Sequence, residues 1–267
     1  MELLSGGYIN QVFRNGGVVE KHYREVPTVF VPLETRYKNE RDALVRNNGE
    51  HAPLLYDFDD TLQVLHMEFV RGDSMKKSIE NGICAPEKAE LFTYFGTILK
   101  KIHTQKAPGN TSDYIEAMRK KAWRDLELFR NSGVPKMFGI DEDKIAKLLV
   151  RYAIPELTKR AHTHPQLTYT HGDMWSNNLI EDKAIDWEFS IPGLPEEDLV
   201  QVYMWDIAKF PQHEKDFLQG YGFVPDLRPF QILKLLDYME GASIKQVESE
   251  QEDGFVTMHA RILKSIT

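Results

Sequence analysis

The chain predicts an α+β fold of two lobes, a small β-rich lobe over residues 1–70 and a larger, mostly helical lobe over residues 71–267. Three observations carry that prediction. Short alternating runs with turn signals fill the first part, broken by one helical stretch. Long apolar stripes at helical spacing fill the rest. A single polar strand–turn–strand, Leu167 to Ile180, interrupts those stripes and is echoed at Ala184 to Glu188.

Leu3 to Phe13 reads as a strand broken by the glycine pair Gly6 and Gly7, and Asn15-Gly-Gly17 is a hairpin signal. Val18 to Tyr23 resumes the extended pattern, and Pro27 and Pro32 bracket a loop. From Thr35 the pattern is helical, with Tyr37, Leu44 and Val45 on one face, charges elsewhere and Asn47-Asn-Gly49 as the stop. Leu54–Phe58 and Leu62–Val70 are strands joined at Asp59-Asp-Thr61, and Arg71-Gly-Asp73 marks the lobe boundary. Helices are then expected over Ala85–Thr104, Asp113–Arg130 and Asp141–Tyr152; the first carries Leu91, Phe92, Phe95, Ile98, Leu99 and Ile102 as a core stripe. Three more follow the polar interruption, at Glu196–Phe210, Arg228–Glu240 and Ile244–Ile266.

An apolar fraction of 42% over 267 residues is enough for real cores. Acids exceed bases by 41 to 33, a formal charge of −8, which argues against a general nucleic-acid binder and suits a cationic small partner. Cys84 is the only cysteine, which excludes an internal disulfide and a cysteine-rich zinc site. Met1 is followed by an acidic residue rather than a basic and apolar signal segment. No apolar run approaches the roughly 20 residues that span a bilayer. The expectation is a cytoplasmic protein with no membrane or nucleic-acid partner.

The polar interruption is where chemistry concentrates. The step from Asp173 to Asn178 is the step between base and metal ligand in the catalytic loop of a protein kinase, H-R-D-x-x-x-x-N, and Asp186 falls where such an enzyme keeps its second metal ligand. Phosphoryl transfer needs phosphates held, magnesium held and an acceptor hydroxyl aimed in line. Asp173 suits the task of accepting the acceptor's proton or orienting its hydroxyl. Asn178 and Asp186 are hard oxygen ligands of the kind magnesium takes alongside phosphate oxygens and water. His171 is suited to holding the turn.

His171-Gly-Asp-Met-Trp-Ser-Asn-Asn178 followed by Ile185-Asp-Trp-Glu188 resembles the H-G-D-x-x-x-x-N … I-D-W-E signature of the aminoglycoside phosphotransferase and choline kinase-like family. These are small-molecule kinases with a protein-kinase-like fold, and the likeness runs in order through nearly the whole chain. Asp198-Leu-Val200 resembles the family's D-L-A, which implies an acid bracing the site, and Phe95–His103 resembles the long helix before the catalytic loop. Ser5 to Phe13 resembles the nucleotide loop G-G-x-x-N-x-V-[YF], which implies that Gly6, Gly7 and Asn10 serve phosphate binding. The resemblance also implies Lys21 for the α/β-phosphates, paired with Glu40 on the following helix. Val19 and Lys21 share a strand face, and a register slip of one would put His22 in the place of Lys21. His66-Met-Glu-Phe-Val-Arg-Gly72 resembles a hinge M-E-[YF]-x-x-G, with Met67 lining the base pocket and backbone groups of Glu68 and Val70 meeting the base edge. The implied co-substrates are ATP or GTP with Mg2+. Ser176 and Asn177 replace a frequent proline–glycine, and Trp175 a second histidine, changes that touch loop shape rather than the key groups.

Other readings fit less of the chain. A cluster of His162, His164, His171 and Asp173 has a possible metal-ligand spacing but leaves Asn178 and Asp186 without a role. No G-x-S-x-G elbow occurs for a hydrolase, and no A-P-E segment follows Asp186 as in a protein kinase. A non-catalytic nucleotide-binding regulator of the same fold is the remaining alternative. For the acceptor, Glu188, Glu196, Glu197, Asp237 and Glu240 are candidate acids, and Trp175, Trp187, Tyr203, Trp205 and Tyr238 candidate aromatic faces. They suit an amine-bearing acceptor such as an aminoglycoside, choline, ethanolamine or a sugar. Glu188 stands out, because alternation along a strand lets it share a cleft with Asp186.

Overall fold

A computed structural model describes residues 2–4, 9–26, 31–163, 166–246, 262 and 264. The strands are β1 (Glu2–Leu3), β2 (Gln11–Asn15), β3 (Val18–His22), β4 (Leu55–Asp59), β5 (Val64–Glu68), β6 (Thr168–Tyr169), β7 (Leu179–Ile180), β8 (Lys183–Ala184) and β9 (Pro192–Gly193). The α-helices are α1 (Leu33–Asn47), α2 (Met75–Glu80), α3 (Ala85–His103), α4 (Thr111–Asn131), α5 (Val134–Phe138), α6 (Glu142–Leu148), α7 (Ile154–Thr163), α8 (Glu196–Val202), α9 (Glu214–Tyr221) and α10 (Arg228–Gln246). The chain packs as two compact units, one of Met1–Lys106 with Thr168–Val224, the other of Ala107–Leu167 with Pro225–Thr267. The expected lobe boundary at residue 70 lies inside the first unit, because side chains of β3 and α1 bond to residues 186–188.

In the first unit an antiparallel sheet runs in the order β1-β2-β3-β5-β4. The β2–β3 hairpin turns at Gly16-Gly17, with Asn15 opposite Val18. β3 is central, and Lys21 stands between Val12 and Leu65. Val19 and Lys21 are buried while Glu20 and His22 take the other face, so the register gives the inward position to Lys21. The Asp59 carboxylate accepts from the N–H groups of Thr61 and Leu62 and closes the β4–β5 turn. The glycine pair Gly6 and Gly7, and Pro27, lie outside the described residues.

α1 ends where Asn48 takes a left-handed conformation (φ 44°). Its buried face differs from the apolar one expected. Tyr37 and Leu44 are buried, but Val45 is 59% exposed, while Arg36 and Glu40 are inside. That face meets β3 and the segment after β8, and each buried charge has a partner, Glu40 in Lys21 and Arg36 in Glu188.

α3 buries Phe92, Phe95, Ile98, Leu99 and Ile102 as expected. Against it lies α9, a helix too short to stand out in the sequence. The two backbones touch through glycines: a Cβ on Gly220 would sit 1.9 Å from the Thr93 carbonyl oxygen, and one on Gly96 2.3 Å from that of Phe217. α8 does not continue as α-helix to Phe210; it passes into a π-helical turn over Tyr203–Ile207.

The second unit is helical. Asn110 caps α4 and Asp141 caps α6. α6 runs through a π-helical turn at Leu149–Ala153 into α7, past the stop expected at Tyr152. The wide turn lies just before Pro155, whose ring and missing N–H a regular α-turn would not accommodate. Leu126, Phe129, Ile145, Leu149, Leu157 and Leu236 form its core. α10 continues past the expected stop at Glu240, and most of Ile244–Ile266 lies outside the described residues. Among the described residues no helix is long and apolar enough to cross a membrane.

Candidate active site

β3 and α1 deliver the first part of the site. Lys21 Nζ lies 2.6 Å from Glu40 Oε2 and 2.5 Å from Asp186 Oδ1, and the Tyr23 hydroxyl also donates to Glu40. Burial works to lower the Lys21 pKa, but the charges of Asp186 and Glu40 overcome it and hold the ammonium well above its ordinary value. Glu40 is raised, first by burial and then by the nearby Asp186 and Glu188, against the pull of Lys21. Burial opposes ionisation of Asp186 as well, yet Lys21 keeps its carboxyl below the usual range. Asp186 remains 39% exposed.

The polar stretch forms a rigid loop. Gly172 has φ +85°, and a Cβ there would sit 2.1 Å from the Phe189 carbonyl oxygen, so only glycine fits between His171 and Asp173. The N–H of Asp173 donates to His171 Nδ1 at 3.3 Å, which leaves Nε2 carrying the proton for the Ile185 carbonyl at 3.0 Å. His171 holds the two arms of the motif together. Asn178 Nδ2 donates to the Asp173 carbonyl and carboxylate (2.8 and 3.0 Å), which turns its own Oδ1 away from Asp173.

α8 and its π-turn clamp this loop from behind. Asp198 accepts from the N–H groups of His171 and Gly172 (2.7 and 2.8 Å) and faces His103 Nε2 at 2.9 Å. Burial works against its charge, and His103 overrides that, keeping Asp198 ionised below its usual range. Gln201 accepts from Met174 N–H and donates to the Gly172 carbonyl. Asp206 accepts from the N–H and hydroxyl of Ser176. The π-turn places residue 206, rather than 205, on the loop side, five positions after Gln201. The sequence reading singled out Asp198 but missed Gln201 and Asp206; Gln201 lies three residues on along the same helix face, whereas a regular helix would not turn Asp206 to that side.

The second arm departs from its expected strand. β8 ends at Ala184, and Asp186 has φ 68°, so the alternation proposed for Asp186 and Glu188 does not exist. The left-handed residue sends Asp186 to Lys21, while Glu188 goes to Asn10 Nδ2 (2.9 Å) and Arg36 Nη1 (2.8 Å). Asn10 is placed differently from the expectation of a phosphate contact: it is 4% exposed and its amide is engaged at both ends, by Glu188 and Arg36. Met67 is buried in β5 opposite Val19. The Glu68 N–H is engaged with the Leu54 carbonyl and its carboxylate with Lys183. Val70, just beyond the sheet, has no backbone hydrogen bond among the described residues.

A family model described as the phosphotransferase enzyme family matches residues 1–233. The chain belongs to that family. None of the curated proteins matches this phosphotransferase in sequence. Among solved structures it is similar to the choline kinase LicA from Streptococcus pneumoniae (17% identity, 98% of this chain and 92% of that one, TM-score 0.61). It is similar also to the ADP-bound aminoglycoside phosphotransferase APH(2'')-Ib (15% identity, 99% and 92%, TM-score 0.61). A third is the GDP and kanamycin complex of APH(2")-IIia (13% identity, 99% and 91%, TM-score 0.64). At these identities the likeness is one of fold, a kinase-like α+β fold with a small antiparallel N-terminal sheet and a larger helical part.

Several side chains read as acceptor candidates are buried or paired in this phosphotransferase. Glu188 and Glu196 are buried, and Asp237 pairs with Lys121 and Lys234. Trp187 is fully buried, donating to the Ala184 carbonyl. Trp175 and Trp205 are half-buried with ring centroids 5.8 Å apart, and Lys76 and Lys209 approach their faces. The side chain of Glu240, and His164, lie outside the described residues. Among the described residues no three His, Cys, Asp or Glu converge as a metal cage, so His162, His171 and Asp173 of the rival cluster do not come together as one.

Proposed function

We propose that this chain is a small-molecule kinase that transfers the γ-phosphate of ATP or GTP to a hydroxyl of a small acceptor, with Mg2+. The observation that carries the reading is the Lys21 ammonium held between Glu40 and Asp186, with β3, α1 and the second arm of the motif meeting at one charge. Lys21 is the phosphate-binding cation and Glu40 its anchor. Val70 offers backbone groups to the base edge, with Met67 behind them.

The donor set suits a hard divalent ion. Glu40 and Asp186 close on Lys21 while Glu188 is taken up by Arg36, three carboxylates for two cations, which leaves negative charge in excess. Asp186 would hold magnesium with the Asn178 amide oxygen, the other positions going to phosphate oxygens and water, and the ion would neutralise charge on the transferring phosphoryl group. Asp173 orients the acceptor hydroxyl and takes its proton, held for that task by the Asn178 amide and a loop clamped at Asp198. Of the acids expected to select an amine, Glu188, Glu196 and Asp237 are buried or paired, so the hydroxyl of the acceptor is better supported than its amine.

A panel of amino alcohols, aminoglycosides and sugars, scored for acceptor-dependent release of ADP or GDP, tests the reading. With any accepted substrate, Asp173→Asn is expected to lower kcat by about 100-fold or more with little change in nucleotide KM. Unchanged turnover in that variant would overturn the role of Asp173. Nucleotide binding without turnover on any acceptor would instead favour a non-catalytic regulator.

A further inference from the structure

The buried group that phosphate transfer leaves unused is the triad Asn10–Glu188–Arg36. Its three side chains close a ring of hydrogen bonds: Asn10 Nδ2 to Glu188 Oε2 at 2.9 Å, Arg36 Nη1 to the same oxygen at 2.8 Å, and Arg36 Nη1 to Asn10 Oδ1 at 3.1 Å. All three residues are less than 5% exposed. Arg36 also donates to the backbone carbonyls of Val31 and Arg24. One guanidinium thus ties together the entry to β2, the connection from β3 to α1, and the segment two residues beyond Asp186.

α1 makes this arrangement into a mechanical link. Arg36, Asn39 and Glu40 share one helix face, being three and four residues apart. Arg36 holds the Glu188 side chain, Asn39 Nδ2 holds its backbone carbonyl at 3.2 Å, and Glu40 holds Lys21, which in turn holds Asp186. A buried ion pair is a poor route to stability, since packed apolar groups often replace it without loss. What it supplies here is a fixed distance between three chain segments.

We infer that Glu188 is a positioning residue: through Asn10 and Arg36 it sets the nucleotide hairpin of β2 and β3 in register with the carboxylate of Asp186. The inference rests on the reading of Asp186 and Lys21 as nucleotide-side groups. Glu188 and Asn10 are buried and bonded to each other and to Arg36, so they act by placing the groups at the cleft.

The test exchanges donor and acceptor. Asn10→Asp alone sets two carboxylates against one guanidinium, and Glu188→Gln alone removes the carboxylate facing Arg36. Together they restore one carboxylate and one amide donor in reversed order. Each single variant is expected to weaken binding of ADP or GDP in the presence of magnesium by about 10- to 100-fold, the range found when outer partners of metal-site ligands are removed. Amide exchange over residues 11–15 should also speed up in the nucleotide-free single variants. The double variant is expected to recover most of both. A double variant no better than the weaker single overturns the inference, as does a single variant that melts earlier but binds nucleotide with wild-type affinity once folded. If the wild-type protein binds neither nucleotide, the kinase reading falls, while the exchange rates and their recovery still decide whether the triad holds the hairpin.

Discussion

At the scale of single residues, the site works by crowding charges and letting geometry decide which stay ionised. Lys21 has two carboxylates within hydrogen-bond distance, and it remains charged although buried. Asp206 is the contrary case. It is 2% exposed, and burial outweighs the two donors of Ser176, so its pKa is raised from 3.8 to about 6. A carboxyl whose folded pKa is raised binds more protons in the folded state. Its contribution is therefore full below about pH 4 and is lost as the pH rises through about 6. From pH 4 to pH 7, the stability of the wild type relative to Asp206→Asn should fall by about 2 kcal/mol, most of what a shift of about two pKa units supplies. Urea unfolding of both proteins at each pH checks this; a constant difference would mean that Ser176 holds the carboxylate ionised.

At the scale of elements, two features of helices shape the loop that carries Asp173. The π-turn after α8 turns Asp206 toward Ser176. The contact of α3 with α9 fixes the His103–Tyr221 bond (2.9 Å), and His103 in turn faces Asp198. That contact depends on glycine. Replacing a helical glycine with alanine ordinarily stabilises by up to about 1 kcal/mol. At Gly220 the added methyl would meet the backbone of α3, which cannot move aside. Gly220→Ala should therefore destabilise, by about 3 kcal/mol or more. Gly17→Ala, where nothing stands within 4 Å and φ is ordinary, should change stability little. The shift in urea midpoint of each variant measures the contrast, and equal midpoints would show that α9 can slide on α3.

At the scale of the whole molecule, every group proposed to meet nucleotide belongs to one of the two compact units. β3, α1, the 171–178 loop and Asp186 all lie in the unit built from Met1–Lys106 and Thr168–Val224. Saturating nucleotide with magnesium should slow amide exchange in those segments. It should leave α4 and α7, which belong to the other unit, changed only by the global gain in stability, about 2.7 kcal/mol at 100 times Kd. Hydrogen-exchange mass spectrometry with and without nucleotide measures this. Equal protection of both units would show that they open as one.

Much of this was legible before any coordinates. The period-two runs before residue 70, the helical stripes after it, and the spacing of Asp173, Asn178 and Asp186 are local patterns, set by how side chains repeat along a strand or helix and by what magnesium and phosphate require. The strand register, and with it the choice of Lys21 over His22, followed the same logic once β5 lay beside β3. What the sequence could not convey is which distant groups each buried charge meets. Glu188 looked like an acid open to an acceptor and Asn10 like a phosphate contact, while Arg36 was only one of the charges off the apolar face of its helix. Only the tertiary structure joins them, across 152 residues from Arg36 to Glu188. A left-handed Asp186 and a π-turn around Asp206 break the periodicities on which sequence reading depends. Local repeats set the elements and the candidate groups of the site, while long-range pairing of buried charge decided how those groups are held.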